Sequence, residues 1–545
     1  MGKFWIAGAT VLTVLLTACA QTPAPSTSTT PEPTDAGNEA EIVPIADGPH
    51  APEDRSFAPR TVSTSPGGKA MISEVDLGNA QTGEYRAPIR GVLVVPTEQA
   101  SPAPLIVVSH LRVPNCANEQ FAYPCPEGVE ELRFDRGMTY LGEHLAAQGY
   151  AALIPDVSGA FIGDRLNDPY DQRALWTQTV STLVNALRSD ISGTTATYGL
   201  DDAIRHVDLD HVGLFVHSRS GMMVDTAIQT LGADHVKSVL AYGPSYDTFD
   251  PNEFSPAGPD IPYLALAGEA DLDVGASANL WLAEHIGTER TTPALAASLP
   301  GFGHLLVNRA LSSTGQDERT ACDVVACPDA RAHEQLLTTV AAAWFNTTVK
   351  GQADSLGVTS NAPLPDTLAG QPVTWLAHTI GTQVTHIGPS DLQALKPGTA
   401  AVCRHSDPMS PVPAENPCPE PEQGVMEVVN EVSHLKAAKA NVDVAGATML
   451  AVHLAPVGAP DAKSPGTPIT IGVTLADGKT WDQSIAPSDS VLKNRATTDD
   501  NGTYRLGTIR IALPDSVTAG EIKTVTIEAN EGAVEVRGID VVASS

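Results

Sequence analysis

The stretch His211-Val-Gly-Leu-Phe-Val-His-Ser-Arg-Ser-Gly221 decides how most of this chain reads. Val212 to Val216 is a short apolar run of strand length and strand residues, and Met222 to Leu231 continues with helical spacing. Between them Ser218 falls on a tight strand-to-helix turn. That position exposes a hydroxyl, and the amino terminus of the helix lies beneath the charge that forms on an attacked carbonyl oxygen. This is the logic of a nucleophile elbow, written G-x-S-x-G. The sequence departs from the pattern: Val216 and Ser220 hold the two small positions, and Gly221 comes one place late. Small residues are favoured there because the turn strains the backbone. An ordinary serine-rich turn is the competing reading and Ser220 the competing nucleophile, so the rest of the chain has to decide.

At 545 residues the chain is too long for one compact core, and two or three domains are expected. Lys+Arg 32 against Asp+Glu 64 leaves a net charge of −32, which argues against nucleic acid and against attraction to anionic lipid. Met1-Gly-Lys3 followed by the apolar stretch Phe4 to Leu16 reads as an export signal too short to be a comfortable permanent span. It leads into Leu16-Thr-Ala-Cys19, which resembles a bacterial lipobox. The resemblance implies cleavage before Cys19, lipid on that cysteine, and an extracytoplasmic protein anchored to a bacterial membrane. Of the seven cysteines, the others form three close pairs, Cys116/Cys125, Cys322/Cys327 and Cys403/Cys418. Such local pairing suits disulfides in an oxidising compartment. No metal site is expected, since no pair has C-x-x-C spacing beside matching histidines. Neither H-E-x-x-H nor a glycine-rich phosphate loop occurs, so no cofactor is implied.

Residues 20–58 are rich in Pro, Thr, Ser and acid and read as a disordered tether after the signal segment 1–19. Over 59–351 strand-like runs (Ala70 to Leu77, Ile89 to Val95, Pro104 to His110, Ala151 to Pro155, Val236 to Tyr242, Pro262 to Ala267) alternate with helical ones, notably Met138 to Gln148, Leu175 to Leu187, Ala276 to His285 and Ala330 to Val349. Alternation of this kind implies an α/β domain with a mostly parallel sheet covered by helices. Beyond Gly351 the texture changes to short alternating runs parted by turns, with one possible helical stretch near Val428 to Lys439. Residues 360–545 therefore read as a separate all-β sandwich.

A serine nucleophile needs a base, and the base needs a group that fixes its tautomer. Downstream of Ser218 the strand ending at Ala267 runs into Gly268-Glu-Ala-Asp-Leu-Asp273, and Pro300-Gly-Phe-Gly-His304 then places a histidine in a glycine-bracketed loop. The order is Ser, acid, His. Asp271 is the preferred acid, with Asp273 and then Asp247 or Asp250 as alternatives. His217 reads as structural.

On these motifs residues 60–351 resemble an α/β-hydrolase fold enzyme of the secreted bacterial esterase/lipase-like branch, whose elbow commonly reads G-H-S-R-G-G. Val216-His-Ser-Arg-Ser-Gly221 shares its His-Ser-Arg core and last glycine. The resemblance implies an oxyanion hole built from the amide of Arg219 and one from Leu111 or Arg112. The final runs, Ile509 to Pro514, Val525 to Ile527 and Val534 to Val542, resemble the last strands of galactose-binding-like jelly rolls, implying a possible glycan partner for the C-terminal part. The expected activity is lipid-anchored serine hydrolysis of a small-molecule or lipid-like carboxylic ester through Ser218, His304 and Asp271. Acyl transfer or peptide cleavage by the same residues, or non-catalytic binding on a degenerate scaffold, are the alternatives. All three triad candidates precede residue 305, so a chain ending near Gly351 is expected to keep its activity.

Overall fold

The structure, a computed structural model, describes residues 55–98, 101–162, 171–246, 260–283, 285–320, 322–405, 430–458, 461–498 and 500–544. The signal and lipobox segment with Cys19, nearly all of the tether, Cys418, Asp247 and Asp250 lie outside them. Ten strands form the main sheet: β1 (Thr61–Thr64), β2 (Ala70–Thr82), β3 (Tyr85–Pro96), β4 (Ala103–Ser109), β5 (Ala151–Pro155), β6 (Val207–His217), β7 (Val236–Tyr242), β8 (Tyr263–Gly268), β9 (Ala294–Leu299) and β10 (Thr374–Ala377). In space they run β1-β2-β3-β5-β4-β6-β7-β8-β9-β10. From β5 to β9 every pairing is parallel, while β1, β2 and β3 join antiparallel at one side and β10 at the other. This order, with helices on both faces, is the α/β-hydrolase fold.

Strand periodicity divides the core between those faces. On β4, Leu105 and Val107 pack on one side with helix α2 (Gln172–Ile191). Ile106 and Val108 pack on the other with α1 (Thr139–Ala147) and α5 (Ala330–Thr348). The same alternation on β5 and on Val212 to Val216 of β6 makes the middle of the sheet apolar on both faces, as parallel strands between two helical layers require. Gly213 in β6 is a contact point rather than a turn: a Cβ there would lie 2.7 Å from Ile106 Cδ1 and 2.8 Å from Phe345 Cε1. The missing side chain is what lets α5 close on the sheet. Two short helices complete the layer that holds α2, α3 (Val224–Leu231) after β6 and α4 (Ser277–Ala283) after β8.

The C-terminal part is antiparallel. One sheet contains Ala400–His405, Asn430–Leu435, Val534–Ala543, Ala447–Pro456 and Gly507–Ala512, with Val384–Ile387 also paired to Val534–Ala543. The other contains Gln393–Ala394, Ala437–Ala445, Glu521–Ala529, Ile469–Leu475 and Thr480–Ile485. Leu450, Val452, Ile471, Val473, Val525, Ile527 and Val536 fill the core that the two sheets share. The helical stretch expected near Val428 to Lys439 begins outside the described residues, and its described part lies in two strands instead, Asn430–Leu435 and Ala437–Ala445. Ala438 and Ala440 are buried while Ala437 and Lys439 are less so, a period of two that outweighs the helical propensity of Ala and Lys.

The expected division near residue 351–360 also differs from what is seen. β10 lies well inside the segment read as a separate sandwich, yet it pairs with β9 of the hydrolase sheet, Trp375 opposite Ala297. It is fastened to the sandwich at the same time: the Ala377 amide donates to Thr508 Oγ1 at 2.9 Å, Thr374 Oγ1 donates to the Ser490 carbonyl at 2.9 Å, and Arg510 Nη2 donates to the His378 carbonyl at 3.0 Å. Two sequence features hid this strand: it is four residues long, and between it and α5 lies a long connection whose regular structure is only the two-residue pairing of Thr367–Leu368 with Gln371–Pro372. A chain ended after Gly351 would leave the fully buried β9 as an open apolar edge, a template for aggregation. We therefore expect that truncated protein to be less soluble and to melt well below the full chain, measured by circular dichroism and gel filtration. A soluble monomer melting with the full-length protein would make β10 dispensable.

Candidate active site

The carboxyl ends of β4, β6, β7, β8 and β9 meet at one rim of the sheet, where ligands of α/β proteins bind. Ser218 follows β6 directly and is 3% exposed. Its φ is 57°, in the left-handed region, at a cost of about 1–2 kcal/mol for a residue with a side chain. A 3₁₀ turn over Ser218–Met223 leads into α3, so the α-helix starts two residues later than the sequence spacing suggests. The Ser218 carbonyl accepts the Ser245 amide at 2.9 Å. Gly221 explains the displaced glycine of the motif: a Cβ there would lie 2.8 Å from Pro244 Cβ and 2.9 Å from the Ser245 carbonyl oxygen. In this protein the close approach falls one residue after its usual place.

Ser220 fills the place that is usually glycine because its hydroxyl is used. Trp176 Nε1 donates to Ser109 Oγ at 3.0 Å, Ser109 and Ser220 hydroxyls lie 2.7 Å apart, and Ser220 Oγ donates to the His110 carbonyl at 2.5 Å. With the indole fixing the direction, the chain runs Trp176 to Ser109 to Ser220 to His110, each bond polarising the next. Fully buried and so committed, Ser220 braces the elbow against the loop after β4.

That loop holds the other oxyanion candidates. Leu111 is buried, and the Arg112 side chain is turned to the rim, with Nε donating to the Phe161 carbonyl at 2.8 Å and its guanidinium 4.1 Å from the Phe121 ring centre. His110 Nε2 accepts the Val157 amide at 3.0 Å, so Nδ1 carries the proton and donates to the Leu111 carbonyl at 3.0 Å. Beneath it sits Asp156. Burial, the largest single influence, opposes its charge, but the Arg90 guanidinium 2.6 Å away, His110 and Arg133 together outweigh burial and hold the carboxyl well below the usual range. Cys116 and Cys125 form a disulfide across the same loop. Arg219, the third oxyanion candidate, lies next to Ser218 in the elbow turn.

Asp271 and His304, the candidate acid and base, meet at the rim. Asp271 Oδ1 accepts the amides of Asp273 and Val274, both at 2.9 Å, which leaves Oδ2 to accept from His304 Nδ1 at 2.8 Å. Burial, the largest single influence, disfavours the His304 charge, but the Asp271 carboxylate, and after it Asp273 and Glu318, together raise the imidazole pKa above its ordinary value. Asp273 lies on the opposite side of the ring, Oδ2 3.3 Å from Nε2, with its side chain about half exposed. His217 serves as support: its Nε2 donates to the His304 carbonyl at 3.1 Å, its ring lies 4.8 Å from that of His304, and burial together with His304 keeps it neutral.

Several supports had no local signal in the sequence. Gly243, after β7 at φ 44°, is the wall against which the pair rests: a Cβ would come within 2.7 Å of His304 Nδ1 and 3.0 Å of Asp271 Oδ2. Tyr242 donates to the Gly303 carbonyl at 2.7 Å, the Gly303 amide donates to His333 Nε2 at 3.0 Å, and the His304 amide donates to Glu318. These residues come from β7, α5 and a loop, and only the fold makes them neighbours. Behind the acid and histidine turns lies a cleft of about 1020 Å³ between Leu272, Pro300 and Val324 on the hydrolase side and Gln483, Lys493 and Arg495 of the sandwich. The Cys322–Cys327 disulfide borders it. Cys403 is buried on its strand, while its expected partner Cys418 lies outside the described residues. Among the described residues no group of three His, Cys, Asp or Glu side chains is placed to hold a metal.

The sequence matches no protein-family model and no curated protein. Among solved structures it is similar to a dienelactone hydrolase-like promiscuous phosphotriesterase from metagenomic libraries, at 12% identity and a TM-score of 0.30 over 51% of this chain and 98% of that one. A predicted CIB-like hydrolase from Thermoplasma acidophilum matches at 11% and 0.25, over 52% and 100%. A rice cell wall degrading esterase from Xanthomonas oryzae matches at 17% and 0.25, over 37% and 54%. These are hydrolases and an esterase by name. The fold of this chain rests on its own strand order.

The left-handed serine yields a stability prediction. Ser218→Gly should be more stable than Ser218→Ala by about 1 kcal/mol in urea unfolding, because both lose the hydroxyl and only glycine is free of the left-handed penalty. Equal or reversed stabilities would mean that the elbow is not strained in solution.

Proposed function

We propose that this chain is a serine hydrolase that cleaves a carboxylic ester. What carries the reading is the left-handed backbone of Ser218 at the end of β6, on the same rim as the His304–Asp271 pair after β8 and β9. Ser218 Oγ attacks the acyl carbonyl while His304 Nε2 takes its proton, and the same proton then goes to the leaving alcohol. Asp271 keeps the Nδ1 proton in place and stabilises the imidazolium. The amide of Arg219, with that of Leu111 or Arg112, faces the developing oxyanion. Water activated by His304 then releases the acyl group. The reading calls for no metal or organic cofactor. It favours catalysis over binding on a degenerate scaffold, because a strained elbow with a carboxylate-held imidazole beside it costs stability that a mere binding domain has no use for.

A fluorophosphonate probe tests this. The native protein should be labelled covalently, Ser218→Ala not at all, and Ser220→Ala should still be labelled. Asp271→Asn should lower turnover of p-nitrophenyl esters by roughly 10⁴. Labelling that survives in Ser218→Ala and disappears in Ser220→Ala would move the nucleophile.

The same proposal places the enzyme outside the cytoplasm, tethered through lipid on Cys19. It is supported by the lipobox-like Leu16-Thr-Ala-Cys19 and by the disulfides Cys116–Cys125 and Cys322–Cys327, which suit an oxidising compartment. Among the described residues no helix is long and apolar enough to cross a membrane. Expressed in a bacterial host with labelled palmitate, the native chain should incorporate label and sediment with membranes, and Cys19→Ser should do neither. Label retained in Cys19→Ser would refute the anchor.

A further inference from the structure

The two ring nitrogens of His304 face two different carboxylates. Nδ1 donates to Asp271 at 2.8 Å, and Asp271 cannot move away because its other oxygen is tied to two amides at 2.9 Å. Nε2 is buried with no hydrogen-bond partner among the described residues, and Asp273 Oδ2 stands 3.3 Å from it, close enough for charge attraction but out of hydrogen-bond alignment. Nε2 is the atom that has to accept the proton of Ser218. With its side chain 48% exposed, Asp273 is the carboxylate at the ring that has room to swing into solvent.

The other groups around the ring do not compete for this position. Glu318, from the loop before α5, accepts the amides of His304 and Leu305 and is held by them. Arg319 is paired with Asp317 at 2.7 Å and donates to the Gly301 carbonyl at 3.0 Å. His217 on β6 is neutral, its pKa well below the ordinary value through burial first and His304 second. Tyr242 on β7 is neutral too, its hydroxyl pushed up by burial and, after it, by Asp271.

We propose that Asp273 is a latch on the base: its carboxylate holds His304 Nε2–H in the charged resting form, and it has to swing away before Ser218 can be activated. This rests on the reading of Ser218 as nucleophile and His304 as base. Opening the latch lets the Nε2 proton pass to water. The bare nitrogen then takes the Ser218 hydroxyl proton as the bond from Oγ to the acyl carbon forms, so each proton is accounted for. Asp273 is thus a positioning residue, and it acts in the opposite sense to Asp271. Because activity needs neutral His304, the acid limb of kcat/KM follows the His304 pKa, and a carboxylate beside Nε2 moves that limb to higher pH.

The experiment combines pH profiles with a titration that needs no turnover. In Asp273→Asn, imidazole NMR should show His304 titrating at lower pH. Its kcat/KM should rise by at least about fivefold below the acid limb, the lower bound for removing a unit charge some 4 Å away under full solvent screening, and stay unchanged on the plateau. Asp273→Glu should restore the native limb. An unmoved His304 titration overturns the proposal, and so does a loss of activity at every pH, which would make Asp273 an orienting acid. If the titration moves but Ser218 is never labelled by fluorophosphonate at any pH, the hydrolase reading fails and the contact is an ion pair without a latch.

Discussion

Ser218 occupies a backbone region that costs a side-chain-bearing residue about 1–2 kcal/mol, and the surrounding rim is built so that the chain has no cheaper alternative. The Ser245 amide holds its carbonyl, Gly221 lets the next strand connection close over the turn, and Ser220 ties the turn to the loop after β4. None of these contacts involves the Ser218 side chain. The fold imposes the conformation from outside, which leaves the hydroxyl for chemistry. The same braces set the distance between the elbow and Leu111–Arg112, so the strain and the oxyanion side of the site share one support.

The base is handled differently, by charge in a dry pocket. Burial, the largest single influence, lowers the His304 pKa, yet Asp271 at 2.8 Å, with Asp273 and Glu318, brings the net shift above the ordinary value, and backbone amides hold the remaining Asp271 oxygen in place. Gly243 presses on the pair with no side chain between, and His217, kept neutral, adds a flat surface without adding a competing charge. Asp271 and Asp273 differ by two positions and play opposite parts, one locked against Nδ1 and the other half in solvent beside Nε2.

The sandwich is joined to this site more closely than a tethered accessory domain would be. Arg495 reaches from it to Glu269, two residues before Asp271, and also donates to Thr374 on β10. Leu506 of the sandwich and Leu376 of β10 belong to the hydrolase core. One short strand therefore completes the hydrolase sheet on one edge and anchors the second half on the other. The cleft between the halves lies directly behind the acid and histidine turns.

What the sequence determined by itself was whatever short range encodes. Continuous apolar runs in β4 to β8, helical spacing in α1, α2 and α5, and the ordered turns around Ser218, Asp271 and His304 are all local patterns, and they sufficed for the fold and for naming the candidate site. Where local propensity misled, at Leu435 to Lys439, alanine and lysine allow a helix and only sheet packing made the segment two strands. Along the chain the motif spacing favoured Ser218 over Ser220 and Asp271 over Asp273, although each pair is chemically alike and only two residues apart. Tertiary structure adds which partner each side chain meets, because that depends on strands far away in sequence: Ser109 and His110 occupy Ser220, and two amides and His304 occupy Asp271. Gly243, Glu318, His333 and β10 are tertiary in the same sense, each defined by a neighbour it meets only once the sheet has closed.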